Sequence, residues 1–70
     1  MTKAQATRML QYEIEEALSL VPIYTRSKSY NKTTDALVRD ILTAVKLGMD
    51  GSVKSMIAAC KILQDYTINI

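Results

Sequence analysis

Length, composition and charge restrict this chain to a small class of proteins. The sequence has 70 residues, of which 49% are apolar, a formal net charge of +2, no histidine and one cysteine. This length suits one domain, a single cysteine excludes an intramolecular disulfide, and the usual zinc ligand sets are missing. Histidine, the commonest proton shuttle near neutral pH, is absent, so we expect no enzyme activity. We also expect no cofactor and no metal.

The sequence also carries no membrane or export signal. No apolar run approaches ~18 residues, the minimum for a spanning helix, and the N-terminus lacks the basic-then-apolar pattern of a secretory signal. We expect a cytoplasmic protein that does not associate with membranes. The mild positive charge does not by itself mark a nucleic-acid-binding protein.

The first predicted element is a helix over about residues 2–21. Thr2 and Gln5 have the spacing of a capping box, in which each side chain bonds the backbone N–H of the other residue. Apolar residues then recur at helical spacing and predict the face that packs inward. They are Ala6, Met9, Leu10, Ile14, Ala17, Leu18 and Val21.

Acidic residues and a proline complete the prediction for this helix. Glu13, Glu15 and Glu16 are expected to form an acidic patch that faces water. Pro22 predicts the end of the helix, because the residue before a proline avoids helical geometry.

Residues 22–32 are predicted to be a basic loop. Three of its residues carry positive charge, and no acidic residue lies among them. Free N–H groups at the start of the following helix attract anions, and a tyrosine can stack on a base. The loop therefore offers a candidate site for a nucleic acid or, over residues 26–34, for a nucleotide or other phosphorylated small ligand. The candidate residues are Arg26, Lys28, Tyr30, Lys32 and Thr33.

One short segment loosely resembles the helical-hairpin domain of phage proteins that sequester cyclic nucleotide signals. The matching residues, with a one-residue insertion, are Pro22, Arg26, Ser29 and Thr33, which lead into an amphipathic helix. The resemblance implies that the last three contact the ligand. The sequence departs from the pattern at Asp35, where that family has an apolar residue, and the acidic pair of the family is absent.

The second predicted helix covers residues 33–48. Its apolar stripe comprises Leu37, Val38, Ile41, Leu42 and Val45. Asp35 falls in the first turn and Lys46 in the last, each at the helix end that favours its charge. Gly48 is expected to stop the helix in a left-handed conformation, with Met49 folding back onto the preceding turn.

The third predicted helix, residues 52–66, forms an antiparallel hairpin with the second, and Asp50 or Ser52 can cap it. More than half of its circumference is apolar, which indicates either burial between neighbouring helices or a partner or oligomer interface. The interface candidates in this helix and the following tail are Val53, Met56, Ile57, Cys60, Leu63, Tyr66 and Ile68.

Helices 2 and 3 also approach the pattern of a helix-turn-helix. The residues similar to the core that precedes the turn of this motif are Ala44, Leu47, Gly48 and Met49. The apolar residue expected inside the second helix, however, comes one position early, at Val53, and Lys54 takes its place. The exposed face of that helix would carry two charges, Lys54 and Lys61. DNA binding through this degenerate motif, or through the basic loop, remains an alternative function.

These patterns predict a single all-α domain over residues 1–70, a small three-helix bundle. Apolar residues exceed what one such core readily hides, so we expect homo-oligomerisation, most simply as a symmetric dimer. The predicted function is that of a non-enzymatic interaction protein, a regulator or inhibitor that acts by binding another macromolecule, most simply a protein.

Overall fold

The computed structural model describes residues 1–26 and 34–67 of the chain. Three helices, α1 (Lys3–Arg26), α2 (Thr34–Met49) and α3 (Val53–Thr67), account for nearly all of these residues, among which there is no strand. Each helix packs against the other two. The predicted all-α three-helix bundle is therefore confirmed.

The start of α1 has the predicted capping box. The backbone N–H of Thr2 donates to Gln5 Oε1 at 2.9 Å, and the N–H of Gln5 donates to Thr2 Oγ1 at 3.2 Å. These two bonds satisfy backbone donors that a helix start otherwise leaves without partners. The local pattern was sufficient to predict this helix start.

The end of α1 differs from the prediction, because the helix continues through Pro22 to Arg26. Proline removes one helical hydrogen bond, the one that would reach the carbonyl of Leu18. Leu18 and Pro22 are both exposed, so this carbonyl lies on the water-facing side of the helix. The last turn buries Tyr24 in the core, and this burial offsets the cost of the proline. Residues 22–26 are thus helix rather than loop.

Gly48 also has a different role from the predicted one. It lies inside α2 without a left-handed conformation, and the glycine with positive φ, at 81°, is Gly51 in the following turn. A Cβ atom at position 48 would lie 2.6 Å from Leu10 Cδ2. Gly48 therefore allows α1 and α2 to approach closely. Met49 does not fold back, since 80% of it is exposed.

The turn between α2 and α3 ends in the predicted cap. The N–H groups of Asp50 and Gly51 donate to the carbonyls three residues earlier, which tightens the last turn of α2. Ser52 Oγ then accepts from the N–H of Ser55 at 3.2 Å, the bond of a helix N-cap. The hydroxyls of Ser52 and Ser55 both donate to Asp50 Oδ2.

The core lies along the centre of the bundle and takes residues from all three helices. On α1 it follows a heptad-like row, and on α2 the row is shorter and ends against α1 at Gly48. Its buried apolar members are Ala6, Leu10, Ala17, Leu20, Tyr24, Leu37, Ile41, Ala44, Met56, Ala59, Cys60, Leu63 and Tyr66.

We expect Gly48→Ala to lower the free energy of unfolding by about 1 kcal/mol. Helix propensity alone would favour alanine by about 1 kcal/mol, but displacing the buried Leu10 side chain costs about 1–3 kcal/mol. Urea unfolding followed by circular dichroism measures the balance. In a Leu10→Ala background the clash is absent, and the same substitution is expected to stabilise the protein. A full propensity gain in the wild-type background would contradict this account.

Candidate functional site

Most of the residues that the sequence suggested as a partner interface lie inside the bundle. Met56, Cys60, Leu63 and Tyr66 are all buried among the three helices of one chain. Their apolar character therefore serves the core of the chain, and they offer no surface to a partner. Val53 and Ile57 remain partly exposed. Ile68 lies outside the described residues.

The outer side of α3 carries an open groove, which we call the α3 groove. Its volume is about 460 Å³, and its lining residues are Val53, Lys54, Ile57, Ala58 and Lys61. Val53 and Ile57 are half-buried, whereas the alanine and both lysines are exposed. The groove thus has an apolar floor with two flexible cationic side chains beside it.

Helix periodicity explains why these residues share one face. Positions 54, 58 and 61 recur at the spacing of one helical row, with 57 beside them, and seven residues of helix separate the two lysines by about 10 Å. Neither lysine forms an ion pair within the described ranges. Ala58 lies between them, and its small side chain lets another backbone approach.

A second apolar surface, which we call the α2 stripe, consists of Val38, Leu42, Val45 and Met49. These side chains are between 39% and 80% exposed. The first three belong to the predicted apolar stripe of this helix, of which α2 buries Leu37 and Ile41, together with Ala44. The stripe follows that buried row one position later, on a face that the other helices leave open.

The signal for the α2 stripe was present in the sequence. Its spacings of four, three and four residues are those of a heptad seam. The sequence pattern alone does not tell which of two neighbouring apolar rows the bundle covers.

Little of the predicted basic site falls within the described residues. Arg26 is exposed and belongs to the last turn of α1. Lys28, Tyr30, Lys32 and Thr33 lie outside the described residues. The arrangement of the candidate anion site is therefore not part of the described structure.

The predicted acidic patch on α1 loses one of its members. Glu15 and Glu16 are exposed as expected, but Glu13 is only 9% exposed and lies on the inward face. The physical reason is its register, because position 13 falls between Leu10 and Ala17 in the buried row of α1.

Cys60 has the properties of a structural cysteine. The side chain is 1% exposed, and burial, with a smaller contribution from the negative charge of Glu13, raises the pKa of its thiol. A raised pKa disfavours the thiolate, which is the nucleophilic form. Among residues 1–26 and 34–67, no cluster of three potential ligand residues is positioned to hold a metal ion.

Tyr66 forms a polar contact between two helices of the bundle. Its hydroxyl donates a short hydrogen bond to Asp40 Oδ2 on α2, and its ring lies 5.9 Å from the ring of Tyr24 on α1. Burial, followed by the bond to Asp40, raises the pKa of the Tyr66 hydroxyl. The protonated form is therefore the one that the folded state holds.

Comparisons with protein-family models, with curated protein sequences and with solved structures find no match to this chain. Across the described helices, none combines the length and apolar character needed to cross a bilayer. The surface geometry of the chain is therefore the basis for a functional proposal.

We expect Tyr66→Phe to lower the free energy of unfolding by about 1 kcal/mol, because Asp40 loses a buried donor. This difference should be present below pH ~10, where the tyrosine of the unfolded chain is protonated. It should shrink at higher pH, because the unfolded wild-type chain then ionises before the folded one. Urea unfolding across this range measures both effects. Tyr12→Phe alters an exposed ring and serves as the control, and equal effects of both substitutions would contradict the assignment.

Proposed function

We propose that this chain is a non-enzymatic interaction protein, a regulator or inhibitor that acts by binding another protein. The observation that carries the proposal is the α3 groove, an open concavity of about 460 Å³ with an apolar floor. Concave sites with a few polar groups at the edge are typical of binding surfaces. A partner helix is the natural occupant of a groove that runs along another helix.

The energetic basis of the proposal is the apolar surface that a partner would cover. Val53 and Ile57 are only half-buried in the free chain. Covering apolar surface contributes about 25 cal/mol per Å², and part of this gain remains after the entropy cost of association. Ala58 allows close packing, and the stems of Lys54 and Lys61 can cover the edges of the contact.

We also propose that the chain forms a homodimer through the α2 stripe. The heptad spacing of the stripe suits a helix of a second copy, which would present the same residues. The stripe alone exposes roughly half of the ~800 Å² per partner that a standard interface buries. Flanking residues of α2 would have to supply the remainder. Domains of this size gain stability from such association.

A Leu42→Lys substitution tests the proposed dimer. Leu42 lies in the middle of the α2 stripe and is 58% exposed, so the change leaves the core intact while it puts a charge at the contact. We expect the solution mass, measured by light scattering after size exclusion, to fall from a dimer to a monomer. Thr43→Lys on the neighbouring exposed position is the matched control. A monomeric wild type, or equal masses for both variants, would refute the dimer.

DNA binding is the second candidate function, and the exposure of both Lys54 and Lys61 favours it. Two phosphate contacts per helix give weak affinity, with a slope of about −2 in log affinity against log salt concentration. Sequence readout would require base-contacting side chains on the same face, and Ala58 can offer only apolar contact there. We therefore rank protein binding above DNA binding. Binding of a phosphorylated ligand by residues 26–34 is carried by no observation beyond the exposure of Arg26.

Selection from a displayed library of amphipathic helical peptides tests the proposed protein-binding function. We expect the enriched peptides to lose at least tenfold in affinity for an Ile57→Asp variant, because the charge lies on the floor of the α3 groove. Leu18→Asp, on the exposed side of α1, is the matched control and should bind normally. Circular dichroism confirms that both variants are folded. Enriched peptides whose affinity is unchanged by Ile57→Asp, or an absence of enriched peptides, would refute the groove as a protein-binding site.

A further inference from the structure

We infer that the occupant of the α3 groove is an amphipathic helix of a partner protein that carries two carboxylates seven residues apart. The inference rests on the proposed function and specifies the chemistry of the partner. Its basis is charge complementarity, because the two polar groups that line this apolar groove are both cationic.

The spacing of the lysines sets the spacing of the carboxylates. Lys54 and Lys61 are separated by two helical turns, or about 10 Å. A helix that packs along α3 repeats its own face with the same period, so that two acidic residues seven positions apart reach both ammonium groups. Apolar residues between them would then meet Ile57, and a larger one would find room above Ala58.

The charges at the two ends of the groove limit the acidic region of the partner. Asp50 lies four residues before Lys54, and Asp65 lies four residues after Lys61. Donation from the hydroxyls of Ser52 and then Ser55 lowers the pKa of the Asp50 carboxyl, which therefore stays ionised at neutral pH. Additional carboxylates beyond the central pair would approach these two aspartates and be repelled.

The same order of charges favours a partner helix over a nucleic-acid backbone as the occupant of the α3 groove. A phosphate backbone carries negative charge continuously and would bring phosphates close to Asp50 and Asp65 as well as to the lysines. An acidic pair on a helix places negative charge at two points only. The apolar floor formed by Val53 and Ile57 likewise offers a phosphate no favourable contact.

A charge-swap experiment tests the inference with two designed, hydrocarbon-stapled helical peptides. Both carry the same apolar ridge; one has glutamates seven residues apart beside the ridge, and the other has lysines there. We expect the wild-type chain to bind the glutamate peptide about tenfold more tightly, the effect of two exposed ion pairs. The Lys54→Glu, Lys61→Glu double variant should prefer the lysine peptide. Fluorescence anisotropy at low and high salt measures both affinities, and salt should reduce the preference.

The control is the Arg8→Glu, Lys46→Glu double variant, which has the same net charge and alters exposed basic residues of α1 and α2. It should keep the wild-type preference. Equal binding of both peptides, with loss of both in Ile57→Asp, would overturn the acidic partner but leave the groove as a protein-binding site. Binding of neither peptide, together with a failed library selection, would overturn both proposals. If duplex DNA binds the wild-type chain but not the Lys54→Glu, Lys61→Glu variant, and the glutamate peptide does not bind, the result would favour nucleic acid as the occupant.

Discussion

Tyr66 connects α3 to both other helices, and the orientation of α3 in the bundle depends on this side chain. Its ring contacts Tyr24 on α1, and its hydroxyl donates to Asp40 on α2. An aromatic contact and a partly buried hydrogen bond to a carboxylate, together with the buried row of α3, favour one rotation of this helix about its axis. Lys54 and Lys61, on the opposite side of the helix, consequently face outward. The position of the α3 groove is thus a consequence of core packing.

The other end of the bundle is held by close approach rather than by a polar contact. The missing side chain at Gly48 makes room for Leu10, and Ala44 is fully buried nearby on the same face of α2. Small residues on one row of α2 bring α1 close along that row. The next row of α2, which carries Leu42 and its apolar neighbours, is left exposed. The bundle covers the row that contains Ala44, so the neighbouring row, one position later along the helix, faces away from the core.

The sequence patterns predicted the helix starts that local interactions determine, but not the helix ends and exposed faces that tertiary packing determines. The capping box at Thr2 and the cap at Ser52 depend on residues three positions apart, and both formed as predicted. Local rules predicted a helix end at both Pro22 and Gly48, and packing in the bundle overrides both predictions. Burial of the turn that follows Pro22 extends α1, and the close approach to α1 explains the glycine at position 48. The candidate site was only partly predictable for the same reason. Periodicity defines which residues of a helix share an apolar face, but it does not show which part of that face the other helices cover.

The placement of Lys54 is the strongest physical reason to regard the outer face of α3 as functional. Lys54 lies in the first turn of the helix, where no acidic residue is present and where the helix dipole disfavours a positive charge by about 0.3–1 kcal/mol. The N-cap bond of Ser52 and the nearby Asp50 carboxylate already satisfy this helix start. The lysine makes no ion pair within the described part of the chain. Local features that oppose stability are characteristic of functional positions, and this one borders the apolar groove.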